Sequence, residues 1–324
     1  MKPMSAINNL KNLTQIMKEL SLDDLQQGAE KPPRVLVLAA SLEAADVLAE
    51  TLTGEARSPY VTALRLDTPV DRLDTYDAAI VFDPDARPET RKLIEDLGKR
   101  NTNALIITWM STDPTEHLAA RVVRDRMLKH SSERAVSFGR HMPAFVAPAV
   151  KEVIDDTAAA NAQFALIANV PSVIPILGTL ATVSADFLVL TKNQLLLTYK
   201  VAAIHGRDLN NRAAILREMT PVAGVGFFWR TIAREAATLL PLAAGTVPKV
   251  AIAYSGTVAI GKAADYYYRF GEKPSKDLMK SYFRTGMESL KRRQFLFRDP
   301  KTVDAEFTVV EDRIEEPDKE SFAA

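Results

Sequence analysis

Three polar residues in the first half of the chain stand where α/β proteins usually bind ligands. Ser41, Asp83 and Asp113 each follow a short apolar run that predicts a buried strand. The carboxyl ends of parallel strands meet at one edge of a sheet, where ligands bind. A hydroxyl and carboxylates suit Mg²⁺ and a nucleotide phosphate, so these residues, with Asp85, form the candidate cofactor-binding site. Solvated strand ends and helix caps are the more economical alternative.

The first predicted strand lacks the loop that would hold a phosphate. Such a loop needs glycines, a lysine for the phosphates and a hydroxyl for magnesium. Here Val35–Leu38 runs directly into "AASLEAA", which contains neither Gly nor Lys. Ser41 fits the N-cap of the following helix, and Glu43 suits its first turn but would repel a phosphate. No G-x-G-x-x-G pattern follows a strand either, so the sequence predicts no bound cofactor.

Composition narrows the classes of partner and reaction. The 324 residues carry 41 Lys and Arg against 41 Asp and Glu, so no basic excess indicates a nucleic-acid partner. The absence of cysteine excludes disulfides and thiolate metal sites. We expect no metal site and no catalytic residue set, and hence no enzyme. Four histidines lack metal-ligand spacing and are expected at the surface or at helix caps: His117, His130, His141 and His205.

The segment from 31 to 145 alternates short apolar runs with helical patterns. This order predicts a Rossmann-like parallel sheet covered by helices on both faces. Five strands are expected at 34–40, 61–67, 76–83, 103–110 and 133–139, with helices at 42–53, 88–100 and 115–130. An amphipathic helix over 5–26, within an N-terminal unit of residues 1–30, precedes them.

The composition then shifts towards Ala, Leu, Ile and Val, which predicts an Ala-rich helical bundle over 146–290 and a tail over 291–324. No charged residue occurs between Thr157 and Ala185, a length that would span a bilayer. Pro171, Pro175 and Gly178 interrupt this stretch, so both a buried core and bilayer contact stay open. Four polar residues break the next apolar stretch and form a candidate polar cluster: Asp186, Lys192, Asn193 and Gln194.

Within that cluster, Asp186 and Asn193 are seven residues apart and would share a helix face. They predict either a buried polar contact between helices or the lining of a small pocket. Further on, Tyr266, Tyr267 and Tyr268 precede Arg269 and Lys273, a mixture that would suit a membrane interface, although core packing of these rings is an equal alternative. Lys291, Arg292 and Arg293 form the densest basic cluster.

Two blocks of the second half carry a family likeness. The first runs from Val170 to Leu209, with Pro171 and Pro175 at its start and His205-Gly206 near its end; the second runs from Leu239 to Ser275 and includes the three tyrosines. Together they resemble the helical domain of unknown function 697 of YcjF-type inner-membrane proteins. In many members of that family the module follows an Era-like GTPase domain. The resemblance implies a membrane-associated helical module and a GTPase-like domain, and it implies no particular activity.

The loops of the α/β segment are similar in order to those of GTPases but lack their key residues. Asp83 is followed by Pro84, Asp85 and Ala86, without the Gly of the second switch, and Ser111-Thr112-Asp113 keeps only the final acid of the guanine-reading loop. "AVSFG" would stand at the last base-contacting loop. The resemblance therefore implies a degenerate domain, a pseudo-GTPase.

The expected function is a non-enzymatic scaffold or adaptor, cytoplasmic and held at the inner face of the cell membrane by its helical module. Its expected partners are membrane lipid, an unidentified protein and a second copy of the chain. Two alternatives stay open: a nucleotide-binding hydrolase with an unusual phosphate loop, and a wholly soluble structural protein.

Overall fold

The structure, a computed structural model, describes residues 22–100, 103–167, 185–219 and 246–292. Most of the predicted N-terminal helix lies outside these ranges. Helix α1, Asp23–Glu30, is the first element that the structure describes, and it contains Gly28 and ends before Pro32. Two prolines remove the amide hydrogens that another helical turn would need, so the prolines, and not Gly28, end this helix.

Four parallel strands form the sheet, in the order β2-β1-β3-β4. They are β1 Val35–Ala39, β2 Val61–Arg65, β3 Ala78–Phe82 and β4 Leu105–Thr108. The helices between and after them are α2 Leu42–Thr53, α3 Pro88–Gly98 and α4 His117–His130. Four of the five predicted strands and all three predicted helices are confirmed. β1 and β3 are buried on both faces, which explains why their sequences are continuously apolar.

The side chains of β1 alternate between two hydrophobic layers. Val35 and Val37 belong to the layer that contains α2 and α4, whereas Leu36 and Leu38 belong to the layer that contains α3. The connection from β1 to β2 and the connection from β3 to β4 move in opposite directions along the sheet. Because such crossovers are right-handed, their helices α2 and α3 lie on opposite faces. The α/β class with both faces covered is therefore confirmed.

The fifth predicted strand, "ERAVSFG", is wrong. Its residues form a short 3₁₀ turn, Ser132–Arg134, and helix α5, Ala135–His141. A fully buried helix gives the same continuous apolar run as a buried strand, and Ala135–Gly139 is buried throughout. Since "AVSFG" does not follow a strand, its interpretation as a base-contacting loop is wrong as well.

The second half of the described chain is helical. Its helices are α6 Val146–Ile167, α7 Ala185–Ile204, α8 Arg212–Met219, α9 Thr246–Phe270 and α10 Lys276–Arg292. Helix α9 is central and packs against α6, α7 and α10. Gly261 makes this possible, because a Cβ there would lie 2.4 Å from Ile154 Cγ1 of α6.

The sheet and the bundle share one hydrophobic core. Helix α5 packs against α6 and α7, and a Cβ on Gly139 would lie 2.8 Å from Ala149 Cβ and 2.9 Å from Ile204 Cγ2. Arg140 donates hydrogen bonds of 3.0 Å to the carbonyl oxygens of Ala203 and Arg207 at the end of α7. Side chains on the two sides of the proposed boundary at 145/146 therefore pack against each other.

The uncharged stretch between Thr157 and Ala185 lies mostly outside the described residues. Its first part, up to Ile167, completes α6. Among the helices that the structure describes, none combines the length and the hydrophobicity needed to cross a membrane.

Candidate functional site

Ser41 lies in a two-residue connection between β1 and α2. The strand ends at Ala39, the helix begins at Leu42, and only Ala40 and Ser41 intervene. The Ser41 hydroxyl accepts a hydrogen bond of 3.1 Å from the backbone N–H of Ala44. The predicted N-cap is confirmed, and the connection is too short to wrap around a phosphate as a Gly-rich loop does.

Asp83 follows β3 and uses its carboxylate to fix the turn into α3. Its side chain is only 2% exposed. Oδ2 accepts a 2.9 Å hydrogen bond from the backbone N–H of Arg87, and Oδ1 accepts one of 3.0 Å from Arg87 Nε. Burial alone would raise the pKa of Asp83, but hydrogen bonds from Thr90 and Arg87 outweigh it and lower the pKa overall. The carboxylate is therefore held ionised by protein donors.

Asp113 forms a local turn before α4. Oδ1 accepts hydrogen bonds from the hydroxyl and the backbone N–H of Thr115, at 2.6 and 2.8 Å. Both bonds lower the pKa of Asp113, and the bond from the hydroxyl has the larger effect. The indole of Trp109 donates to the Asp113 carbonyl oxygen at 3.0 Å. The Asp113 side chain is exposed, and its hydrogen bonds stabilise the loop to which it belongs.

The three residues lie at the same edge of the sheet, as predicted, because β1, β3 and β4 are consecutive in the strand order. Each one nevertheless accepts hydrogen bonds from its own loop or from the helix that follows: Ser41 through its hydroxyl, Asp83 through both carboxylate oxygens and Asp113 through Oδ1. Asp85 is exposed beside them. Within the described ranges, no group of three or more histidines and carboxylates is arranged to hold a metal ion.

Of the four residues of the predicted polar cluster, Asn193 takes part in a buried hydrogen-bond network between helices. Asn193 donates a hydrogen bond of 2.7 Å to Asn161 Oδ1, and Asn161 donates one of 2.8 Å to Thr257 Oγ1. Thr257 in turn donates to the Ala253 carbonyl oxygen at 2.7 Å. This chain of bonds, which we call the bundle polar network, links α6, α7 and α9.

The other members of the predicted cluster behave differently. Gln194 is buried and its carbonyl oxygen accepts from the Thr198 hydroxyl, whereas Lys192 is exposed. The side chain of Asp186 lies outside the described residues. The sequence interpretation missed Asn161 and Thr257, although an amide inside the Ala-rich run "TAAANAQFA" is a signal that a buried partner is needed.

A second polar group joins the ends of α7 and α9. His205 Nε2 lies 2.9 Å from Asp265 Oδ1, and the other oxygen of Asp265 lies 3.6 Å from Arg269. The imidazole stacks on Tyr268, with ring centroids 5.9 Å apart. Burial raises the pKa of Tyr268, so this phenol stays protonated. The arrangement holds the ends of the two helices together.

The remaining histidines are also found at helix ends, as expected for caps. His117 begins α4, His130 ends it, and His141 ends α5. His205 directly follows α7, where Gly206 adopts φ +76° and its N–H donates to the Ala203 carbonyl oxygen. This left-handed residue closes the helix in the way that favours glycine.

Comparison with known proteins identifies no relative: no protein-family model, no curated protein and no solved structure matches the chain.

Proposed function

We propose that the chain is a non-enzymatic pseudo-GTPase scaffold whose α/β unit serves as a docking body and whose helical bundle associates with the inner face of the cell membrane. The observation that carries the proposal is the two-residue connection between β1 and α2. Nucleotide binding at this edge needs backbone N–H groups turned inward around a phosphate. Ala40 and Ser41 supply no such loop, and Glu43 opposes the negative charge.

Exposed apolar side chains at the same edge support the docking role. Leu42 begins α2, Met110 follows β4, and Leu118 lies in the first turn of α4; they are 51%, 74% and 65% exposed. Val122, one turn after Leu118, is 43% exposed. A protein partner would remove these side chains from water, which is a favourable contribution to association.

Calorimetric titration of the full chain with GTP, GDP and ATP in the presence of Mg²⁺ tests the nucleotide half of the proposal. We expect no heat of binding from any of the three. The opposing function, a hydrolase that uses Ser41, Asp83 and Asp113 around magnesium, requires a saturable signal that Asp83→Ala abolishes.

Co-sedimentation of the full chain with vesicles tests the membrane half. We expect the chain to pellet with anionic vesicles and to do so less at high salt, because the attraction to anionic lipid is screened. A chain that stays in the supernatant with both anionic and neutral vesicles supports the wholly soluble alternative.

A further inference from the structure

The turn between α9 and α10 presents aromatic and basic side chains together. Phe270, the last residue of α9, is 62% exposed, and its ring centroid lies 4.7 Å from that of Tyr266 one turn earlier. Arg269 and Lys273 are exposed on either side of Phe270. Beyond its contact with Tyr266, the Phe270 side chain is mostly in water, so an apolar contact from outside the chain would be favourable.

The geometry of this turn is fixed by the backbone. Gly271 adopts φ +72° and its N–H donates to the Tyr267 carbonyl oxygen at 2.8 Å, which ends α9. The Ser275 hydroxyl accepts from the Leu278 N–H at 3.2 Å, which begins α10. Phe270 is therefore held at the tip of a rigid helical hairpin.

Helix α10 continues the basic character along one side. Lys276, Lys280, Arg284 and Lys291 follow one another at steps of four, four and seven residues, which places them on one side of a helix. The adjoining side of the helix buries Met279, Phe283 and Leu290 against the bundle. The lysine and arginine stems are long enough to reach beyond the helix surface while the core side stays packed.

The segment Arg269–Arg292 has a net positive charge, whereas the whole chain is neutral. Between Arg269 and Arg292 there are seven basic residues and three acidic ones, an excess of four, whereas the whole chain is balanced at 41 of each. The basic residues are Arg269, Lys273, Lys276, Lys280, Arg284, Lys291 and Arg292, and the acidic ones are Glu272, Asp277 and Glu288. Ion pairs at this surface, such as that of Lys280 with Asp277 at 3.5 Å, do not remove this excess, because it already counts the acidic residues.

We infer that Tyr266, Phe270 and the basic residues of Arg269–Arg292, here called the hairpin surface, form the site at which the protein docks on an anionic lipid bilayer. The inference rests on the proposed membrane association and identifies the part of the bundle that makes the contact. A protruding aromatic tip flanked by long basic stems matches the interface of a bilayer, where rings sit among headgroups and cations meet lipid phosphates. An acidic protein would supply the charge partner but requires no inserted ring.

Charge reversal tests the electrostatic part. The variant Lys276→Glu, Lys280→Glu, Arg284→Glu should bind anionic vesicles at least about 30-fold more weakly than the native chain, because each basic residue near an anionic surface adds to the attraction. The control reverses two exposed basic residues of α3 and the one that follows it, Arg91→Glu, Lys92→Glu and Lys99→Glu, and so gives the same net charge. Binding of the control should stay within about threefold at 0.15 M salt, since distant charges are screened.

Fluorescence quenching tests the inserted ring. The native chain contains two tryptophans, so quenching is measured relative to the native chain. Phe270→Trp in the full chain should add fluorescence that is quenched by vesicles whose acyl chains carry bromine. The control is Met110→Trp, which places the reporter at an apolar position that is 74% exposed, and the fluorescence that it adds should not be quenched. Circular dichroism of each variant confirms that it is folded.

The outcomes separate the docking site from membrane association itself. If the native chain binds anionic vesicles but both triple variants bind equally well and Phe270→Trp is not quenched, the hairpin surface is wrong while membrane association stands. If the native chain binds no vesicles, both are overturned. Tighter binding to polyglutamate than to anionic vesicles, with no quenching of Phe270→Trp, would assign the surface to an acidic protein instead.

Discussion

Single polar residues hold the helical bundle in register. Asn161 is fully buried in α6 and bonds both Asn193 of α7 and Thr257 of α9. A buried amide that loses its partners costs free energy, so only one alignment of the three helices satisfies it. The sequence alone indicated Asn193 but could not supply the rest of the network, because the bonded pairs Asn193–Asn161 and Asn161–Thr257 are 32 and 96 residues apart and depend on how the helices pack.

Removing Asn161 should therefore destabilise the fold. We expect Asn161→Ala to lower the free energy of unfolding by about 2–3 kcal/mol, since it leaves a cavity and an unpaired Asn193 amide. Asn193→Ala should cost less, because this side chain is half-buried. Urea unfolding of both single variants and the double variant measures the coupling. Strictly additive changes would contradict a direct bond between the two amides.

Asp83 should make stability depend on pH in a defined direction. Its pKa is lowered in the folded protein, so its contribution is present above the unfolded pKa of about 3.9 and is lost as pH falls through the folded value. We expect Asp83→Asn to lower the free energy of unfolding by about 1.5 kcal/mol at pH 7, and this difference to shrink below about pH 4.

Asp85→Asn is the matched control for Asp83. Asp85 is exposed two residues away, and its replacement should change the free energy of unfolding by less than about 0.5 kcal/mol at any pH in this range. Equal effects of the two substitutions in urea titrations from pH 7 to about pH 3 would show that Asp83 does not fix the turn into α3.

At the level of elements, the sequence predicted the amphipathic helices from their period and the strands from short apolar runs bounded by turn residues. The strands β1 to β4 and helices α2 to α4 fall at the expected residues. Helix α5 does not, because it is buried on all sides and the apolar run of a buried helix lacks the usual 3.6-residue period. Its environment comes from α6 and α7, which no local pattern reveals.

Close packing between α6 and α9 depends on Gly261. A Cβ at this position would lie 2.4 Å from Ile154 Cγ1 and 3.1 Å from Leu197 Cδ2, so Gly261→Ala must push the helices apart. We expect a loss of about 2 kcal/mol in the free energy of unfolding. The control, Gly28→Ala in α1, meets no atom within 4 Å and should raise it by about 0.5–1 kcal/mol. A higher unfolding temperature for Gly261→Ala than for Gly28→Ala would contradict this close packing.

At the scale of the whole molecule, the α/β unit and the bundle depend on each other. One hydrophobic core contains β1, α5, α6 and α9 residues alike. A fragment that ends at Val150 would expose the side of α5 that packs against α7. We expect this fragment to lack cooperative urea unfolding by circular dichroism, whereas a sharp transition would show that the α/β unit folds independently.

The absence of a phosphate loop at β1 is the central claim, and ligand-induced stabilisation tests it most directly. The unfolding temperature of the full chain would be measured with and without 1 mM GTP and Mg²⁺. A nucleotide whose Kd is a hundredth of its concentration stabilises a protein by about 2.7 kcal/mol. We predict no change in the unfolding temperature. A rise of several degrees that disappears in Asp83→Ala would contradict the pseudo-GTPase account and restore the nucleotide-binding alternative.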